Sequence, residues 1–140
     1  MTGGVEPGWV EAALATAPVG RLATTAADGT VHLVPICFAV VDGHIVSAVD
    51  HKPKSTLRLQ RLADIEATGQ ATFLVDHYDD DWTQLWWVRV TGGAAVVAEG
   101  SAVSGAARAA LVQKYHQYQG RPPLGPVYTI ALDAVRSWRP

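Results

Sequence analysis

Residues 20–49 read GRLATTAADGTVHLVPICFAVVDGHIVSAV. Gly20 to Ala26 alternates small, apolar and polar residues, and Asp28-Gly29 supplies a tight turn before Val31 to Val41. A second pair, Asp42-Gly43, precedes His44 to Val49. Asp-Gly tolerates the positive φ angles of hairpin turns, whose twist matches that of the strands they join. Three antiparallel strands joined by tight turns are the simplest reading of this stretch.

Upstream, Trp9, Val10, Ala13, Leu14 and Ala17 fall at helical spacing between Pro7 and Pro18, giving a short leading helix. Downstream, Leu57, Leu59, Leu62 and Ile65 mix with Lys54, Arg58, Arg61 and Glu66, which predicts an amphipathic helix capped near Ser55 or Thr56 and ended by Gly69. Gln70 to His77 returns to strand character. Leu85 to Ala98 reads as a long strand bent or bulged at Gly92-Gly93. Ala107, Leu111, Tyr115 and Tyr118 share one helical face, opened by Ser101 or Ser104 and closed by Gly120; Val127 to Leu132 is a last strand. About six strands with helices at three points describe an α+β antiparallel barrel rather than alternating βαβ units.

With 140 residues, 49% of them apolar, the chain has enough for one core, and residues 1–140 read as one domain. The net charge of -2 offers no basic stripe for nucleic acid or an anionic membrane. The longest uncharged apolar run, Leu33 to Val41, is interrupted by Pro35 and falls far short of the ~18 residues of a membrane span. One cysteine permits no internal disulfide, and the start lacks the pattern of a secretory signal, so a cytoplasmic protein is expected.

Nucleophile elbows, phosphate-binding glycine loops, dinucleotide fingerprints and paired-cysteine metal sites are absent. The five histidines are scattered, and Asp76 to Asp81 lacks the glycine and terminal glutamate of a calcium loop, so no metal site is expected. The segment Asp50 to Arg61 places Lys52, Lys54, Arg58 and Arg61 with Ser55 and Thr56 where a strand gives way to a helix. Free N–H groups and a positive dipole end make such a junction suited to a phosphate. The alternative is a basic helix face kept in solvent. Trp86 and Trp87 point to opposite faces of their strand, one into the barrel and the other toward an interface or a planar ligand. Cys37, between Ile36 and Phe38, reads as a buried, inert thiol without a basic neighbour.

The order of these parts resembles the pyridoxamine 5'-phosphate oxidase-like split-barrel superfamily, and within it the actinobacterial branch that depends on the deazaflavin coenzyme F420. The resemblance is carried by Arg21 to Thr25 with Asp28-Gly29, His32 to Phe38, Ala48 to Lys54, Leu59 to Leu62, Leu74 to Tyr78, Asp81-Trp82, Leu85 to Arg89, and Tyr115 with Pro122 to Pro126. Lys52-Pro53-Lys54 and Trp86-Trp87-Val88-Arg89 are its most specific stretches. It implies a single flavin- or deazaflavin-binding split β-barrel, homodimeric, with cofactors in grooves between subunits. Lys52, Lys54, Ser55 and Thr56 would hold the cofactor phosphate, while Arg58 and Arg61 would meet the acidic tail of F420. The backbones of Pro35, Ile36 and Cys37 and of Ala48, Val49 and Asp50 would lie along the ring, with Trp87 as a further contact.

The substrate-binding pattern of true pyridoxamine phosphate oxidases is not visible in Ala134 to Pro140. No general acid or base is evident, so catalytic residues stay unassigned, and the chemistry implied is hydride transfer carried by the cofactor to a small electron-poor molecule. An FMN-binding oxidoreductase on the same barrel and a non-catalytic F420 carrier are the alternatives. Trp82, Trp86, Trp87 and Trp138 with few charges nearby predict a self-association surface. Sedimentation at micromolar concentration should therefore give about twice the 14.9 kDa chain mass; a clean monomer would rule out a shared groove.

Overall fold

The computed structural model describes residues 7–50 and 59–140. Along the chain run α1 (Pro7–Thr16), β1 (Gly20–Thr25), β2 (Val31–Ile36), β3 (Ala39–Val41), β4 (His44–Ala48), α2 (Gln60–Thr68), β5 (Gln70–His77), β6 (Trp86–Val96), α3 (Ala102–Lys114), α4 (His116–Gly120), β7 (Val127–Ala131) and β8 (Ala134–Trp138). All pairings are antiparallel, in the order β2-β1-β5-β6-β7-β4-β3, with β8 also on β6. The fold is an α+β antiparallel split barrel.

Both Asp-Gly turns form. Asp28 Oδ1 accepts the Thr30 N–H at 3.0 Å, and Gly29 has φ +90°. At the second turn Asp42 and Gly43 take φ of 49° and 74° between paired Val41 and His44, the two-residue turn suited to strand twist.

Four expectations are corrected. Val31 to Val41 is two strands, because the chain leaves β1 after Ile36 and crosses to the other end of the sheet order. Phe38 plugs that crossing: it is fully buried, 4.6 Å from Phe73 between ring centres, and its N–H donates to the Tyr115 hydroxyl. The same hydroxyl donates to the Pro18 carbonyl, and Tyr115 is extended (φ -109°, ψ 117°), so the expected single helix breaks there into α3 and α4. Helix α2 begins at Gln60 behind an extended Leu59 with no side-chain cap; Ser55 and Thr56 lie outside the described residues. An unexpected strand, β8, is exposed throughout and carries no burial alternation, which hid it from a reading based on period.

Two apolar clusters cover the two faces of β4 and β7. Leu22, Phe38, Ile45, Phe73, Val88, Val90, Tyr128 and Ile130 fill the barrel. On the other face Val46, Ala48 and Val127 meet Ala107 and Leu111 of α3 and Tyr118 of α4. Complete burial of side chains of this size contributes about 1.5–3 kcal/mol each.

Strand β6 belongs to both halves of the barrel. Its residues 86–93 pair with β5, 94–96 with β7 and 87–91 with β8. The register on its second side shifts by one residue between Ala94↔Ile130 and Thr91↔Ala134, a bulge opposite Gly92-Gly93. The Gly93 N–H donates to Asp133 Oδ2 at 2.9 Å. A Cβ on Gly92 would stand 1.9 Å from the Ala131 carbonyl oxygen, so the two backbones meet only because residue 92 has no side chain. Gly92→Ala should lower the unfolding free energy by about 1–3 kcal/mol, read by urea denaturation. An unchanged midpoint would mean that the bend does not need the bare backbone.

Candidate functional site

The chain departs from β2 at Pro35, Ile36 and Cys37 and from β4 at Ser47 through Asp50, and these two ends form the walls of a cleft of about 460 Å³. Val19, Arg61 and Tyr118 complete its lining. Beyond β4 a loop clamps the backbone: Val49 N–H donates to Pro126 O at 3.0 Å, Gly125 N–H to Val49 O at 2.8 Å and Leu124 N–H to Asp50 O at 3.3 Å. A Cβ on Gly125 would come within 2.6 Å of Val49 Cβ, so this approach also requires glycine.

The cleft walls are apolar where Ile36, Ala48 and Val49 pack, each under a tenth exposed. Its polar groups are grouped. The Tyr118 hydroxyl donates to Asp50 Oδ1 at 2.5 Å; burial and then this bond push the phenol well above its ordinary range. Ser47 Oγ donates to the Cys37 carbonyl at 2.7 Å. The Arg61 guanidinium lies 5.9 Å from the centre of the buried Tyr128 ring, and burial raises the phenol's pKa while Arg61 and Ser47 act against it. A volume of several hundred Å³, apolar flanks and a few converging polar groups suit a planar ligand bearing an anionic end.

Arg61 reaches the cleft because α2 is held from beneath. Asp64, one turn further along and only 1% exposed, accepts from Thr24 Oγ1 of β1 and Gln60 Nε2, each at 2.8 Å, and its Oδ2 lies 2.8 Å from His32 Nδ1 of β2. Burial pushes its carboxyl up, but the hydrogen bonds from Gln60, Thr24 and His32 outweigh burial and hold it below the ordinary value of 3.8.

The structure gathers Pro35, Ile36, Cys37, Ala48, Val49, Asp50 and Arg61 in one cleft. Lys52, Lys54, Ser55, Thr56 and Arg58 lie outside the described residues. Trp87 is not part of the lining; it is half-buried on β6, opposite Trp138, with the Arg89 guanidinium 5.1 Å from its ring. Trp86 faces the core side, edge-on to Trp9 at 6.3 Å. Cys37 is exposed on the cleft wall, not buried, because the strand ends before it and Phe38 takes the core position. Nor does it lack a basic neighbour: the Lys114 amine sits 3.6 Å from the Phe38 ring centre, its pKa pushed down to about 8 by burial, against which a negative charge on the Cys37 sulfur would act. Ser47, Tyr118 and Tyr128 went unseen in the sequence. The helical face of Tyr115 and Tyr118 was legible, but not which strands it meets.

Residues 8–139 match the family model described as pyridoxamine 5'-phosphate oxidase. No curated protein sequence matches significantly. Among solved structures, a conserved hypothetical protein of Mycobacterium tuberculosis superposes with TM-score 0.74 at 24% identity, over 98% of this chain and 86% of that one. An FAD-binding protein of Mesorhizobium loti gives 0.70 at 18%, over 95% and 92%. The heme storage protein HutZ of Vibrio cholerae gives 0.74 at 14%, over 96% and 93%. At these identities the likeness is one of fold.

A carboxyl whose folded pKa is depressed stabilises the protein above its unfolded value, and that contribution is lost as pH falls through the folded value. Asp64→Asn should therefore cost about 1–3 kcal/mol at pH 7, and the gap from wild type should narrow below about pH 4, near the ordinary value of 3.8. Urea melts at pH 7, 5 and 3 measure it; a gap that stays constant to pH 3 would show that the charge is not what anchors the helix.

Proposed function

We propose that this chain, which belongs to the pyridoxamine 5'-phosphate oxidase family, is an oxidoreductase that binds coenzyme F420 in the cleft between the ends of β2 and β4. The observation that carries the reading is the convergence there of Pro35 to Cys37 and Ala48 to Asp50. In support, apolar side chains of Pro35, Ile36, Ala48 and Val49 line the walls, a surface suited to the face of a flat ring system. When bound, the deazaflavin supplies or accepts a hydride at its ring carbon.

The chain's own part is placement and exclusion of water. Ile36, Ala48 and Val49 shield the ring face, and the Asp50–Tyr118 bond holds the far wall. Lys52, Lys54, Ser55 and Thr56 are assigned to the phosphate and Arg58 to the acidic tail. In support, this basic segment connects two cleft residues, Asp50 and Arg61. A small electron-poor molecule is the substrate class, and the protein is assigned to the cytoplasm.

Two copies are proposed to complete the groove. Support comes from β2, the sheet edge, whose Val31 and Leu33 are 64% and 70% exposed. FMN is the second reading, favoured by the family match and by the shared fold of the FAD-binding Mesorhizobium protein.

Titration of the purified protein with F420, FMN and FAD side by side tests the reading, with F420 expected to bind most tightly. Comparable or tighter FMN binding would reverse the order, and no binding of any would remove the cofactor reading. Lys54→Ala should weaken F420 binding roughly tenfold to a hundredfold, with Arg136→Ala, on the exposed β8, as control. Turnover of the reduced cofactor with enones or quinones separates an enzyme from a carrier.

A further inference from the structure

A second cavity, of about 520 Å³, lies where the first half of α3 passes over β4 and β7, and it shares no lining residue with the cleft between β2 and β4. Side-chain length explains it. In its second half α3 meets the sheet through Ala107 and Leu111, which pack with Val46, Ala48 and Val127. In its first half Ala102, Val103 and Ala106 line the cavity, and their short side chains leave the space beside Val46 and Thr129 open. The helix is not free to settle into that space, because Arg108 ties it to Glu99 at 2.7 Å and to the Gly125 carbonyl at 3.1 Å.

Three polar groups meet in this mostly apolar lining. Thr129 is 8% exposed, and its hydroxyl has no hydrogen-bond partner among the described residues. Tyr128 and Ile130 turn into the barrel, so Thr129 between them turns the other way, toward α3. A hydroxyl so deeply buried is unfavourable without a partner, and packing alone would be served by valine, which has the same shape. His44, on the paired strand β4, holds its Nδ1 2.9 Å from the Asp42 carbonyl. A carbonyl can only accept, so Nδ1 carries the hydrogen and the neutral ring presents Nε2 as an acceptor. Asp42, exposed in the turn before His44, is the one formal charge in the lining among the described residues, and no cation pairs with it there.

We propose that this cavity binds an organic cation, a primary amine carried on a small apolar body. The ammonium donates to His44 Nε2 and to the Thr129 hydroxyl oxygen, its charge faces the Asp42 carboxylate, and the apolar body lies along Val97, Val103 and Ala106. An anion would meet no cation in the lining, and a neutral alcohol would leave the carboxylate unpaired. The start of α3 makes no competing demand for an anion, since Ser101 Oγ already accepts the Ser104 N–H at 3.2 Å. The site does not depend on the cofactor reading proposed above.

Benzylamine is the probe, with benzyl alcohol and benzoate as neutral and anionic analogues of the same ring. Each is titrated into isotope-labelled protein at about pH 8, well below the range in which alkylamines lose their proton, and followed by amide chemical shifts. Benzylamine should move the Val97, Val103 and Thr129 amides and leave those of Val49 and Tyr118, at the other cleft, in place. Benzyl alcohol should bind less tightly and benzoate not at all. Asp42→Asn, which the φ of 49° at this position accepts, should weaken benzylamine about twofold to fivefold and leave benzyl alcohol unchanged. Thr129→Val should weaken benzylamine about twofold to tenfold. Ala106→Leu, at an exposed helix position, should fill the cavity and abolish the shifts while the melting temperature holds or rises. Benzoate binding as tightly as benzylamine would overturn the assignment of a cation. Amide shifts with none of the probes, or shifts that survive Ala106→Leu, would overturn the site; so would a change in sedimentation on Ala106→Leu, which would mean that a second copy covers this face.

Discussion

A single buried carboxylate joins three separate parts of the chain. Asp64 takes hydrogen bonds from β1 and from its own helix and lies against His32 of β2, so α2 has one position on the barrel. The arrangement tolerates no half measures, because a buried polar group left unpaired costs more than its bond contributes when made. Arg61 is placed one turn before that anchor. The site's cation is therefore set by a contact one turn along the same helix, and the stability of the fold and the geometry of the site depend on the same atoms.

The second constraint is backbone against backbone. Strand β6 serves both halves of the barrel only because Gly92 lets Ala131 approach and Asp133 caps the freed N–H of Gly93. Gly125 does the equivalent for the cleft, letting its loop close on Val49. Two glycines thus allow the two close approaches, one shaping the barrel and one shaping the wall of the cleft. In both cases the role is visible only in the atom that a Cβ would strike.

Around the cleft the charged and polar groups are held by burial and by each other. Tyr118 is bound to Asp50, Tyr115 bridges Pro18 and Phe38, and the Lys114 amine rests on the Phe38 ring. Helices α3 and α4 therefore do more than cover a sheet. They lock the crossing from β2 to β3 that makes one wall of the cleft, and they bring a lowered amine pKa next to the exposed Cys37.

Local chemistry was readable from the sequence alone. Asp28-Gly29 and Asp42-Gly43 specify their turns, alternation marks β1, β5 and β6, and Gly92-Gly93 marks the bend, whereas Pro35 to Cys37 and Ala48 to Asp50 were placed together only by the family resemblance. These features depend on neighbours a few residues away, which periodicity and turn propensity report. What only tertiary structure decided depends on residues far apart in the chain. Phe38 splits a run that looks continuous because Phe73 and Tyr115 receive it, β8 exists because β6 offers a free edge, and Cys37 is pushed out because Phe38 goes in. Arg61 reads from the sequence as a cation of a basic helix face, and Asp64 fixes where that helix sits. A single sequence records propensity at each position but not which distant surface will cover it, and burial against that surface determines the roles of Arg61, Tyr118 and Tyr128.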